Sequence, residues 1–109
     1  MKEELNFKGI TSKNWKEIKG NKVAEGISER IVWENKNGNK AIIFEFSPGS
    51  KYPVDKHELG PEQIYVISGI FSDGRNDHSE GSFINNPIGT SHIPQSSGGC
   101  VVLVTFPEG

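Results

Sequence analysis

The sequence predicts an all-β domain of two facing antiparallel sheets, and three observations carry that reading. Short runs of β-branched and aromatic residues recur at the spacing of a sandwich or barrel, separated by thirteen glycines and six prolines scattered as punctuation. Asn37-Gly38 stands between two such runs, a dipeptide that readily supplies the positive φ of a tight hairpin. After residue 40, no segment shows the 3.6-residue hydrophobic period of a helix.

A chain of 109 residues makes one domain. Within it, residues 1–39 are expected to be outer strands or a wrapping segment, and residues 40–109 the barrel core. With 33% hydrophobic and 24% charged residues, the composition is that of a soluble globular protein with an adequate core. The single cysteine, Cys100, excludes an internal disulfide and a cysteine-based zinc cluster, and suits a reducing compartment. It is expected to be a small buried residue. No apolar run is long enough to span a bilayer, and the opening MKEELNFKGI lacks the apolar stretch of a signal peptide. The expectation is a cytoplasmic protein with no membrane partner. A net charge of −2 and a pI near 5.9 speak against nucleic acid. The charge is uneven: residues 1–40 carry nine basic against six acidic residues, and residues 41–109 carry three against eight. The basic start reads as a solvated face; the acidic remainder is where a cation would be held.

Taken in order, Asn14–Ile18 and Val23–Ile27 read as outer strands or irregular wrapping, and a short helix near residues 1–7 is allowed. Arg30–Glu34 and Lys40–Phe46 flank the Asn35–Asn39 hairpin turn, and Ser47-Pro48-Gly49-Ser50 turns the chain again. Tyr52–His57 is a strand, interrupted by Leu59-Gly60-Pro61. Gln63–Ser68 follows, with Gly69 bending it into Ile70–Ser72. Ser82–Asn85 is a short strand, Asn86–Gly89 a turn, and Cys100–Phe106 the last and most apolar strand. In Gln63–Ser68 both faces are largely apolar, Ile64 and Val66 on one and Tyr65 and Ile67 on the other. Such a strand is covered on both sides, by a second sheet or another subunit, and this suggests a homodimer.

Two blocks of polar residues sit among fixed glycines. The first runs Gly49, five residues, Asp55, one residue, His57, four residues, Glu62, six residues, Gly69; the second runs Gly81, five residues, Pro87, one residue, Gly89, two residues, His92. Residues i and i+2 of a strand share a face, so Asp55 and His57 project together into a barrel interior. Glu62 re-enters that space from the adjoining strand after Gly60-Pro61, and His92 completes the site from a third. Two imidazoles and two carboxylates suit one divalent transition ion such as Zn, Fe, Mn or Ni, whose charge the carboxylates neutralise. His78, in the polar stretch Arg75–Glu80, reads as an ordinary hydrogen-bonded histidine.

These blocks resemble the two motifs of the cupin superfamily over about residues 40–106. Ser47-Pro48-Gly49, Phe71-Ser72-Asp73, Asn85-Asn86-Pro87 and Gly99-Cys100 are similar to the ChrR-like cupins in particular. The resemblance implies a double-stranded β-helix, the jelly-roll type of barrel, with His57, Glu62 and His92 on metal-ligand positions. One position departs from the pattern. Asp55 stands where the family usually has the first histidine of a His-x-His pair, and it is either a fourth ligand or a base beside the ion. In anti-sigma factors of the ChrR name the cupin follows a zinc-binding helical domain; residues 1–39 hold no counterpart, so anti-sigma activity is not expected.

Three functions fit. The first is a metal cupin that binds or senses a small neutral or weakly acidic ligand. The second, implied by related ChrR-like cupins, is a non-haem Fe(II) dioxygenase acting on a small dicarbonyl or aromatic ketone. The third is a metal-stabilised structural module. Phe44, Phe46, Tyr52, Phe71, Phe83, Phe106 and Trp33 are available to line the barrel. Lys51, Lys56 and Arg75 are the basic residues nearest the motifs. No Lys or Arg follows Arg75, which speaks against the 2-oxoglutarate subtype of oxygenase.

Overall fold

A computed structural model describes residues 3–57 and 60–107. The chain runs through a one-turn 3-10 helix, Trp15–Glu17, then β1 (Asn21–Ala24), β2 (Ile27–Glu34), β3 (Lys40–Phe46), β4 (Ser50–Lys51), β5 (Asp55–Lys56), β6 (Glu62–Gly69), β7 (Phe71–Ser72), β8 (Asp77–His78), β9 (Phe83–Asn86), β10 (Ser91–His92), β11 (Gln95–Ser96) and β12 (Cys100–Thr105). Every strand pair is antiparallel. One wall of the barrel is a six-stranded sheet in the order β1-β2-β3-β12-β6-β9. The other wall is made of short strands, β4-β11-β7-β8 and the two-residue ladder β10-β5. No helix among the described residues is long and apolar enough to cross a membrane.

Strand parity decides which side chains meet inside. In β6, Glu62, Ile64 and Val66 are buried while Tyr65 is exposed; in β12, Cys100, Val102 and Val104 are buried while their neighbours are half-buried. Register brings Val102 beside Phe44 on one side and Val66 on the other. Ile27, Phe46 and Phe71 complete that core, with the Phe46 and Phe71 rings edge to face at 5.8 Å. Such burial stabilises by roughly 1.5–3 kcal/mol per large apolar side chain.

The turns follow their residues. Asn35 Oδ1 accepts from the N–H of Asn37 and of Asn39, and Gly38 takes φ +86°, closing the β2–β3 hairpin. Gly69, at φ +77°, lets the chain leave one sheet for the other between β6 and β7.

Two expectations are corrected. Tyr52–His57 forms a strand only at Asp55–Lys56, because Pro53 has no N–H to give a ladder. Residues 3–7 contain no helix. Of the two alternatives for Asn14–Ile18, irregular wrapping holds: one 3-10 turn at Trp15–Glu17 lies between extended residues, with the Asn14 side chain capping Lys16 N–H at 3.0 Å. The outward side of β6, expected to be covered by a second sheet or another subunit, has no cover among the described residues of the single chain, where Tyr65 is 43% exposed. Met1 and Lys2 of the allowed helix, and Leu59 of the interruption, lie outside the described residues.

An added Cβ at Gly69 would run into the Gly99 carbonyl oxygen and the Cys100 Cα, whereas one at Gly38 meets nothing. Both positions have positive φ, so Gly38→Ala should cost about 1 kcal/mol and Gly69→Ala roughly 3 kcal/mol or more. Thermal unfolding should therefore place Gly69→Ala well below Gly38→Ala; equal melting temperatures would contradict the close approach of β6 to the loop before β12.

Candidate metal centre

Asp55 and His92 are direct cross-strand partners in the β5-β10 ladder, so their side chains leave the same face about 5 Å apart. His57 lies two residues beyond Asp55 and keeps its parity. Its N–H donates to Thr90 O at 2.9 Å, and its carbonyl accepts from Gly89 N–H at 2.8 Å, which carries the pairing past the end of β5. Glu62 opens β6, with the inward parity of Ile64 and Val66. It arrives on the next strand of the chain, which belongs to the facing six-stranded sheet, whereas β5 pairs with β10 among the described residues.

The four side chains meet. One ligand atom from each of Asp55, His57, Glu62 and His92 lies within 4.8 Å of the other three. His92 Nε2 is 3.3 Å from Asp55 Oδ2 and 3.3 Å from Glu62 Oε1, and His57 Nε2 is 3.7 Å from the same Glu62 oxygen. The two imidazoles stand edge to face, 4.7 Å between centroids. His57, Glu62 and His92 are buried, and Asp55 is half-buried.

Buried charges of one sign need an opposite charge nearby. Burial alone would push the His92 imidazole down, but its hydrogen bonds to Asp55 and Glu62, and their charges, outweigh that and raise its pKa to about 9. The hydrogen bond from His92 in turn holds the Asp55 carboxyl below its ordinary value, against the opposing effect of burial.

A proton on His92 satisfies only part of the site. His57 Nε2 is buried and has no hydrogen-bond partner among the described residues, although it points toward Glu62. An ion bonded at about 2.1 Å to each donor would space the donors about 3.4–4.2 Å apart, close to the separations present. Two nitrogens and two oxygens, with no thiolate, also match a divalent transition ion. The residues fit such an ion.

The cluster forms part of the wall of a cavity of about 500 Å³. Phe44, Phe46, Tyr52, Phe71 and Phe106 line it with Ile27, Ile42, Ile64, Val102 and Val104. Phe83 and Trp33, expected among the lining aromatics, instead face outward, 61% and 45% exposed. Among the described residues no Lys or Arg lines the cavity. The sequence reading missed Glu29, which does line it from β2. Its signal was present: Glu29 shares the parity of Ile27 and Ile31, a carboxylate on the apolar side of a strand.

His78 is not part of the cluster. Its Nε2 is 2.9 Å from Asp73 Oδ2, and its ring stacks on Phe71, 6.4 Å away. Cys100 is a free buried thiol whose pKa burial pushes up, against a weaker hydrogen bond with Ser96.

A profile of the ChrR cupin-like domain matches residues 10–107, so the chain belongs to that cupin family. Among solved structures, an RmlC-like cupin from Shewanella frigidimarina is 19% identical, covering 86% of each chain at TM-score 0.76. The polyketide cyclase RemF of Streptomyces resistomycificus is likewise 19% identical, over 89% of this chain and 79% of its own, at TM-score 0.77. A chain in the Rhodobacter sphaeroides complex of SigE with the anti-sigma ChrR is 17% identical at TM-score 0.74; the match covers 85% of this chain but only half of that one. These identities establish a common fold. No curated protein matches the chain.

Because the folded pKa of His92 exceeds its ordinary 6.5, its stabilising contribution is complete below pH 6.5 and is lost as pH rises toward 9. Asp55 has a lowered pKa, so its contribution is present above pH 3.8 and is lost on further acidification. With a chelator present, urea unfolding should show a stability plateau from about pH 4 to 6.5, then a fall of a few kcal/mol by pH 9. His92→Gln should abolish the alkaline fall.

Proposed function

We propose that this domain binds one divalent transition-metal ion through Asp55, His57, Glu62 and His92 and uses it to hold a small ligand in the adjoining cavity, in a binding or sensing role. The observation that carries the reading is the position of the four donors at the wall of an apolar chamber rather than in a closed corner of the core. A purely structural ion needs no chamber beside it. When bound, the ion supplies a Lewis-acid centre to whatever enters.

The protein's own groups shape the rest. The aromatic and aliphatic lining excludes water and favours a largely apolar ligand. With no cationic lining side chain among the described residues and with Glu29 present, a strongly anionic or phosphate-rich ligand finds no partner there apart from the ion. The ligand class is therefore small and neutral, or at most weakly acidic.

A second reading is a metal-dependent oxygenase acting on a small dicarbonyl or aromatic ketone. The aromatic lining beside the cluster favours it, since planar substrates stack well there. His57, Glu62 and His92 would hold iron, leaving Asp55, half-buried and on the short β5 strand, free to accept a proton. Oxygen consumption by the iron-loaded protein on a panel of such ketones separates the readings: turnover selects the enzyme, whereas saturable binding without turnover selects the sensor.

Protein purified without a nickel column should carry close to one equivalent of metal by elemental analysis. His57→Ala and His92→Ala should remove it and lower the melting temperature by roughly 10 °C, the loss expected for an ion present at about a hundred times its dissociation constant. Asp55→His should retain or tighten binding, an imidazole being at least as good a donor for these ions. If His57→Ala leaves metal content and melting temperature unchanged, the assignment is wrong.

A further inference from the structure

We propose that Glu29 is a second anchor in the cavity: it accepts a hydrogen bond from a hydroxyl at one end of the ligand while the ion holds an oxygen at the other. The assignment rests on the metal-bound ligand proposed above and adds the chemistry of that ligand's far end.

The cavity has two polar poles. Apart from Asp55, His57, Glu62 and His92, the side chains lining it among the described residues are apolar or aromatic, with Glu29 the one further charged group. Tyr52 can also hydrogen-bond, but its hydroxyl both gives and takes and so selects neither donors nor acceptors. Strand register shows that Glu29 stands well away from the four donors. It is level with Phe44, Val102 and Val66 across β2, β3, β12 and β6, and Glu62 lies four residues from Val66 along β6. Three strand spacings and four residues amount to roughly 14 Å across the sheet and 13 Å along it, before the curl of the barrel draws the side chains together. Ile42, Val104 and Ile64 form the apolar row between.

Packing gives no reason for a carboxylate at this point. Ile27 and Ile31, which share its parity, are aliphatic, and a carboxylate that leaves water for an apolar space loses free energy unless something donates to it. Nothing in the sheet does so. Among the described residues, the side-chain hydrogen bonds and ion pairs of β1 and β2 are those of Lys22 with Glu25 and of Arg30 with Ile18 O and Glu45; none reaches Glu29. Glu29 is half-buried and faces the space a ligand would fill.

A carboxylate only accepts, so the complement to Glu29 is a donor. An ammonium would have to bring its charge out of water into a lining that is otherwise apolar, whereas a hydroxyl carries no such cost. The ligand class is then a neutral or weakly acidic molecule with three parts in line: a metal-binding oxygen, an apolar middle and a terminal hydroxyl. A cavity of about 500 Å³ accommodates a small molecule of that kind.

The test uses the full chain loaded with zinc and a series of alkyl hydroxamic acids from butyl to octyl, whose paired oxygens bind divalent ions. Each length is made with a methyl, a hydroxyl or an amine at the far end. Isothermal titration calorimetry should show, at the best-fitting length, the hydroxyl-ended probe binding about tenfold more tightly than its methyl-ended twin, as expected of a hydrogen bond to a charged group. Glu29→Leu should reverse that preference, and Glu29→Gln, whose amide oxygen still accepts, should keep part of it. Elemental analysis should find the same metal content in all three proteins, so the change in preference is not loss of the ion. Equal affinity for the methyl and hydroxyl probes at every length would overturn the proposal and leave the metal assignment standing. So would a hydroxyl preference that survives Glu29→Leu, or an amine-ended probe that binds tightest. Failure of the unaltered protein to bind zinc or any hydroxamate would overturn both this assignment and the reading it rests on.

Discussion

The candidate metal centre of this fold depends on a charge balance in a dry place. Two carboxylates and two imidazoles come within a few ångströms of one another inside the barrel, and three of the four are shielded from water. Left with like charges alone, such a group would repel itself. The imidazole of His92 answers with a proton, its pKa raised to about 9. On the proposed reading an ion answers better, because it also engages His57 Nε2, which has no hydrogen-bond partner among the described residues.

The arrangement of strands follows from where these four residues must come from. Asp55, His57 and His92 lie on or beside a two-residue ladder of one wall, and Glu62 heads the long β6 strand of the other. The cluster therefore joins the two walls at a point where the described residues show no strand pairing between them. The core behind it, Val66 against Val102 against Phe44, fixes the height and lean of β6 and so the reach of Glu62.

Much of this was legible in the order of residues. The i, i+2 spacing of Asp55 and His57, and the glycine-proline turns before Glu62 and His92, pointed to one shared interior. Asn37-Gly38 marked its hairpin, and Gly69 its bend. Other features were not legible, each for a physical reason. Tyr52 to His57 has strand-forming side chains, but Pro53 denies it a ladder. Alternation within β6 says which residues share a face but not whether that face is covered, so Tyr65 and Phe83 could not be placed until the sheet was seen. Glu29 was overlooked because one charged residue in an apolar strand reads as a surface position until register puts Phe44 beside it. Membership of the ChrR cupin-like family agrees with the motif spacing, and it leaves the choice between sensing and catalysis to the contents of the cavity.

The brevity of the β5-β10 ladder has a bearing on how the chamber breathes. Two residues a side, extended by the bonds of His57 to Thr90 and Gly89, give that ladder few backbone bonds, and among the described residues no strand pairing ties it to the six-stranded sheet. Filling the cluster would clamp it to β6 as a rivet clamps a flap. Entry of a guest and tightness of the rim would then be opposite sides of one equilibrium, and a scarcity of metal in the surroundings would be felt first as a door left ajar.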